Sequence, residues 1–378
     1  MNRPRLSIAM IVKDEAPRLP VCLNSVKGLA QEMVVVDTGS ADGTPVVAQA
    51  AGARVVHEAW QDDFSLARNR SLAEVTGDWV LWLDADDVVP VAEHDKIRAL
   101  LDAPAAAYSF IIENRFEGRS GQLFRQVRLF PNNRGLCFEG RVHEGLSASV
   151  ARAGLSIVPA EARILHTGYD SGAERMRKQA RNHALLESEY REHPDEPVVL
   201  MELGNSHFQQ RDYDRAIDCY KAILTLPGGA ERRQRDVART VPVLIGTAYY
   251  DKGDPAQAQL WFEQSVSRYP EKIAAYHYLG QIALRKNDPD TLLAMAEKVI
   301  ALPAEVTTVA SDITGMKANA YAYAANLHLL RNNPARALEL FVEADHSGLP
   351  VAFRYEAAVD AAQRAGRHDL AEYFSRKT

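Results

Sequence analysis

Three carboxylates fall within four positions of one short run, GDWVLWLDADD, residues 77 to 87. Asp84, Asp86 and Asp87 follow the unbroken apolar stretch WVLWL, which reads as a buried strand. Two unit charges about 4 Å apart repel by about 4 kcal/mol at an effective dielectric near 20, so the cluster needs an opposing charge. Helix capping would use one carboxylate and leave the others in repulsion. A divalent cation removes the conflict, because Mg²⁺ takes one or two carboxylates and completes its shell with phosphate oxygens and water. The chemistry that suits the run is the holding of a metal and a diphosphate.

The elements that position it come from hydrophobic patterning. Strands are expected over LSIAMIV (6–12), MVVVD (33–37), ARVVH (53–57) and WVLWLD (79–84), with helices around 18–28, 43–51, 64–73 and 92–101. Strands that alternate with helices imply a mainly parallel sheet covered on both faces. Ligands bind such sheets beyond the carboxyl ends of the strands. Asp14, Glu15, Asp37 and the acidic run all fall at those ends. A structural reading also stands for single residues: an Asp at a strand end caps the next helix, and Asp42-Gly43 is ordinary turn chemistry. For Asp37 both readings stay open. Further on, FRQVRLF (124–130), CFEGRVH (137–143) and ARILH (162–166) read as strands between Gly, Pro and Asn turns.

After Gly172 the pattern becomes helical and repeats itself. LGNSHFQQRDYDRAIDCY, IGTAYYDKGDPAQAQLWF and LGQIALRKNDPDTLLAMA align, with two looser copies behind them. Tyr213, Pro255, Pro289, Pro334 and His368 mark equivalent positions, spaced by 42, 34, 45 and 34 residues. A 34-residue helix–turn–helix period is that of tetratricopeptide repeats, and the longer spacings call for extended helices or loops. Tyr220, Trp261 and Phe341 are expected to be packing residues. The expected organisation is an α/β domain over 1–170, a connector helix over 171–192 and the repeats over 193–378.

At 378 residues the chain is long enough for two cores. An apolar fraction of 47% and a charged fraction of 25% are those of a globular protein. A net charge of −6 gives no basic footprint for nucleic acid. Cys22, Cys137 and Cys219 lie too far apart for a zinc or disulfide framework. No apolar run reaches 18 residues, so no integral membrane segment is expected and the chain reads as cytoplasmic.

The stretches SIAMIVKDEAPRLPVCLNSV, MVVVDTGSADGT, FSLARNRSL and GDWVLWLDADD resemble, in order and spacing, family 2 glycosyltransferases of the GT-A fold over roughly residues 5 to 170. With RLFP, GRVHE, ILHTGY and the repeats, the chain looks like the branch that includes bacterial peptide and bacteriocin S-glycosyltransferases. Asp14 stands where that branch more often has Asn.

The resemblance implies an α/β GT-A domain followed by an all-α repeat solenoid. It implies an inverting transfer from a nucleotide sugar, with a UDP-sugar expected, and a divalent metal, Mn²⁺ or Mg²⁺. Asp37, Val12 and Glu15 would border the base and ribose, Arg68 and Arg128 the base or diphosphate, and Asp84 a ribose or sugar hydroxyl. Asn69 would fix a loop, and at most one of Arg125 and Arg128 would face the diphosphate. Asp86 is the favoured metal ligand, with Asp87 and His166 beside it. Glu144 is the candidate general base, oriented by His143, and an acid from the segment 113–121 is the alternative. The repeats would hold a peptide or protein acceptor or mediate a homodimer. Two other readings stay open: transfer to a lipopolysaccharide or exopolysaccharide intermediate, and a repeat scaffold with a degenerate transferase domain.

Overall fold

Runs rich in Val, Ile and Leu fill the first strands. The computed structural model describes residues 4–116, 119–168, 172–226, 232–304, 312–349 and 352–378. Its N-terminal part holds β1 (Leu6–Val12), α1 (Leu19–Ser25), β2 (Glu32–Asp37), α2 (Thr44–Ala50), β3 (Arg54–His57), α3 (Phe64–Glu74) and β4 (Trp79–Leu83). There follow β5 (Asp87–Val88), α4 (His94–Leu101), β6 (Ala107–Phe116), β7 (Arg119–Pro131), α5 (Ser147–Arg152) and β8 (Ile157–His166). One sheet runs in the order β3-β2-β1-β4-β7-β6-β8-β5. β1 pairs in parallel with β2 and β4, and β2 with β3; β7 joins antiparallel to β4 and to β6. The sheet is therefore mixed: β1 to β4 pair in parallel as expected from sequence, and β6 and β8 add a second parallel pair.

Both faces are covered. Leu6, Ile8 and Met10 pack with Leu19, Leu23 and Ile97 on one face, while Ala9, Val80 and Trp82 pack with Phe130, Phe138 and Val150 on the other. Two expectations change. The segment from 113 is no loop: Glu113 lies in β6, buried and paired with Arg115 at 2.9 Å, which removes it as a mobile acid. Residues 117 and 118 of that segment lie outside the described residues. CFEGRVH is a turn, tied by a single bridge between Glu139 and Gly145. Left-handed backbone at Gly140 (φ +100) and His143 (φ +57) prevents an extended run there.

Helix α6 (Gly172–Glu192) belongs to the first of two compact units, and the described residues from His193 onward form the second. The second holds α7 (Pro197–Gln209), α8 (Tyr213–Thr225), α9 (Arg232–Lys252), α10 (Pro255–Arg268) and α11 (Ile273–Arg285). It continues through α12 (Pro289–Ala301), α13 (Ile313–Leu330), α14 (Pro334–His346), α15 (Tyr355–Arg364) and α16 (His368–Ser375). All five marker residues open a second helix. α9 spans 21 residues and α13 spans 18, which absorbs much of the longer spacings.

Each turn is built the same way. The N–H of Asp212, Asp254, Asp288, Asn333 and Arg367 bonds the carbonyl five residues back, closing the preceding helix. The side chains of the first four then accept an N–H three residues ahead, capping the next helix. One residue thus ends one helix and starts another, and that fixes the turn length. Tyr220 and Phe341 are buried as expected, but in the second repeat Phe262 takes the buried place and Trp261 is only partly covered. Among the described residues, no helix is long and apolar enough to cross a membrane.

Two outcomes are expected. A Cβ on Gly246 would meet the Phe262 ring at 2.6 Å, so Gly246→Ala should destabilise the repeats by about 1–3 kcal/mol through overpacking, against its gain in helix propensity. A raised calorimetric midpoint would show that the ring moves freely. Burial pushes the His277 imidazole down to about 4. The unfolded chain therefore binds a proton that the folded one refuses between the ordinary pKa of 6.5 and about 4, so stability rises with pH across that window and is lost as the pH falls through it. His277→Gln should flatten that part of a stability-against-pH curve.

Candidate active site

β4 ends at Leu83 and the acidic run turns back at once. The Asp87 N–H donates to the Asp84 carbonyl at 3.1 Å, and the Asp84 N–H donates to Asp87 Oδ2 at 2.9 Å. The turn feeds β5, whose antiparallel pairing sets Asp87 opposite His166 of β8. Asp87 is 0% exposed and each oxygen is engaged: Arg128 Nη1 donates to Oδ2 at 2.8 Å, and His166 Nδ1 meets Oδ1 at 2.9 Å. With Nδ1 held there, Nε2 faces the same small space as Asp86 Oδ2. A Cβ built on Gly168 would lie 3.4 Å from that nitrogen and 3.3 Å from that oxygen, so only glycine leaves the space open.

Asp86, Asp87 and His166 offer ligand atoms within 4.8 Å of one another. Burial pushes the Asp86 carboxyl up to about 6; His166 opposes this, while Asp84, Asp87 and Glu15 add to it. Burial also works against charge on His166, yet its hydrogen bond to Asp87 and the surrounding carboxylates carry it up to about 9. A carboxylate that hydrogen-bonds one imidazole nitrogen and presents the other is the usual support of a metal-ligating histidine. The donor set of Asp86 and His166, backed by Asp87, fits a divalent cation.

Arg128 does not open toward a donor. It is 2% exposed, beneath the carboxylates, with Nη2 3.5 Å from Asp84 Oδ2 and its guanidinium 3.8 Å from the Trp82 ring centre. It acts there as the counter-charge of the cluster. Arg125 donates to the carbonyls of Ser109 and Ala160 and pairs with Glu161.

Arg68, on α3, is also buried and lies 4.1 Å over the Trp82 ring centre. Its Nη2 donates to Asp84 Oδ1 at 2.7 Å and its Nε to Glu144 Oε1. Burial disfavours the ionised form of Asp84, but the charges of Arg68 and Arg128 keep its carboxyl well below the usual range. Asn69 grips the loop that carries Glu144, donating to the Phe138 carbonyl at 3.0 Å and accepting from its N–H at 2.7 Å. The Phe64 N–H, opening α3, donates to the Arg141 carbonyl at 2.9 Å. Glu144 therefore joins Asp84 through one guanidinium. His143 is exposed at the left-handed position of the turn.

The ends of β1 and β2 form the other rim. Asp37 is buried and accepts the N–H and hydroxyl of Ser40, with His57 Nδ1 at 3.3 Å. The Val12 carbonyl accepts from the Thr38 N–H and hydroxyl, and Glu15 Oε2 accepts from Arg18 at 2.9 Å. Asp14 has φ +56, a conformation that Asn and Asp both adopt readily, and its Oδ1 accepts the Ala41 N–H at 2.7 Å. Position 14 thus accepts either residue for a backbone reason.

The family model described as Glycosyl transferase family 2 matches residues 7–157. Over those residues the chain is similar to family 2 glycosyltransferases. Tetratricopeptide repeats match over residues 177–231 and 243–291. A TPR repeat-containing protein of Synechococcus elongatus is 36% identical over 227 residues, which cover 56% of this chain and 54% of that protein. The chain thus spans about half the length of that relative. The SPbeta prophage-derived glycosyltransferase SunS of Bacillus subtilis is 28% identical over 75% of this chain and 68% of its own. Among solved structures, S. aureus TarS 1-349 in complex with UDP-GlcNAc aligns with 14% identity and a TM-score of 0.41, over 70% of this chain and 91% of that one.

Sequence reasoning about the transferase domain missed Trp82, Phe138 and Gly168. A signal existed for Trp82: it stands two residues before Asp84, and strand alternation puts both on one face. Arg128→Met should leave fully buried Asp87 without its main counter-charge and cost about 3–5 kcal/mol in chemical denaturation of the transferase domain. A loss below about 1 kcal/mol would show that His166 alone offsets the charge.

Proposed function

We propose that the chain is an inverting, metal-dependent glycosyltransferase that moves a sugar from a nucleotide donor, a UDP-sugar first among candidates, to a peptide or protein acceptor held by the repeats. The observation that carries this reading is the Arg68 bridge. It joins Asp84 of the acidic run to Glu144, 76 residues beyond Arg68 in sequence, beside the Asp86 and His166 pair. The peptide acceptor rests on the resemblance of the motifs and repeats to the peptide glycosyltransferase branch.

In this reading Asp37, Val12 and Glu15 border the nucleoside, and Asp84 faces a ribose or sugar hydroxyl. Asp86 and His166 hold the divalent cation, which when bound offsets charge on the diphosphate leaving group. Asp87 and Arg128 act beneath them, fixing the tautomer of His166 and the position of the acidic turn. Glu144 takes the proton of the acceptor nucleophile as the bond to the anomeric carbon forms and the bond to the diphosphate breaks. Arg68 keeps Glu144 aimed while it also fixes Asp84.

The test is a panel of nucleotide sugars screened with Mn²⁺ or Mg²⁺ for donor hydrolysis and for transfer to peptides. Asp86→Ala should abolish metal-dependent donor binding and turnover with the fold retained, and full activity in a chelated buffer would sink the metal assignment. Glu144→Gln should keep donor binding while transfer to a hydroxyl acceptor falls by about 10²- to 10⁴-fold. Wild-type transfer in that variant would move the base elsewhere, with His143 the next candidate.

A further inference from the structure

Helix α6 is fixed at one end to the loop that carries Glu144. Arg141 of that loop donates through Nη2 to both oxygens of Glu192 at 2.8 Å, through Nη1 to the Ser188 hydroxyl at 3.3 Å, and through its N–H to Glu189 at 3.4 Å. Two turns or more toward the N-terminus, the Arg181 guanidinium lies 5.0 Å from the Phe64 ring centre. One turn further, Lys178 Nζ stands 3.9 Å from Glu15 Oε1, just past the carboxyl end of β1. From Glu189 to Lys178 the helix covers about 16 Å at 1.5 Å per residue. It therefore runs from the base-carrying loop to the nucleotide rim of the same domain.

The charges of the cleft give that arrangement a use. A nucleotide sugar brings a dianionic diphosphate to a site that already holds Glu15, Asp84, Asp86, Asp87 and Glu144. The buried arginines are committed to these acids: Arg68 to Asp84 and Glu144, Arg128 to Asp87 and Asp84. Arg18 is paired with Glu15. A divalent cation at Asp86 offsets two charges and leaves the acids of the rim facing the diphosphate. Lys178 has a side chain 40% exposed and sits on the rim, against Glu15, whose charge is felt at Asp86. A compact ammonium on a long stem can turn from a carboxylate to a phosphate oxygen without moving its helix.

We propose that Lys178 is a donor-binding residue that contacts the diphosphate, delivered to the cleft by α6 and held ready by Glu15. The assignment rests on the donor reading above and adds to it a residue from outside the 7–157 family match.

The experiment uses the full chain with Mn²⁺. Binding of UDP, GDP and dTDP is measured by calorimetry, and binding of the parent nucleoside by ligand-observed NMR, for wild type, Lys178→Gln and Lys178→Arg. Lys178→Gln should weaken the nucleoside diphosphate about tenfold or more and leave the nucleoside unchanged, and Lys178→Arg should recover most of the loss. Unchanged diphosphate affinity overturns the assignment. So does equal weakening of diphosphate and nucleoside, the mark of a displaced helix. A wild-type chain that binds none of the three diphosphates removes the donor reading itself, and this assignment with it.

Discussion

The Trp82 ring lies between the demands of two buried guanidinium groups, Arg68 at 4.1 Å and Arg128 at 3.8 Å from its centre. Cation–π attraction is strongest where water is excluded, and both arginines are nearly fully covered. Their presence makes the acidic turn tenable. Without two positive charges in place, Asp84 and Asp87 would repel at the end of a strand whose every residue is buried. Arg68 and Arg128 answer them in different ways: the first reaches outward to Glu144 as well, the second stays beneath and closes the bottom of the site.

From that base the order of the site follows. Paired with Arg128, Asp87 can stay fully buried and still orient His166 through Nδ1, which turns Nε2 toward Asp86. Among the described residues Asp86 meets His166 rather than an arginine. It is left pushed toward its protonated form, next to an imidazole and an open space kept by Gly168. Two carboxylates of one motif thus play unlike parts because one meets an arginine and the other an imidazole.

The repeats use a different economy of means. Within each of five helical pairs the turn is set by one Asp, Asn or Arg whose N–H closes a helix, and in four of the five the side chain also opens the next. Small residues then let helices approach closely, with Gly204 against the Tyr220 ring and Gly246 against Phe262. Such units contact mainly their neighbours, so stability accumulates along the stack rather than at one core.

Local chemistry was readable from the sequence alone. Apolar runs of four or five residues marked β1, β2 and β4, and turn residues marked the starts of α8, α10, α12, α14 and α16, because strand burial and helix caps depend on residues close in the chain. The acidic run, Glu144 and His166 were recognisable as candidates by residue type and motif. What each does to the others was not. The pairing of β5 with β8 sets His166 beside Asp87, 79 positions away, and α3 brings Arg68 to Glu144 across 76. Arg128 shows the difference most plainly: its charge suggests a ligand contact, and only the sheet, by burying it against Trp82 and Asp87, makes it a counter-charge. Burial and partner are properties of the folded chain, because they depend on which distant strands pair, and no local pattern encodes that pairing.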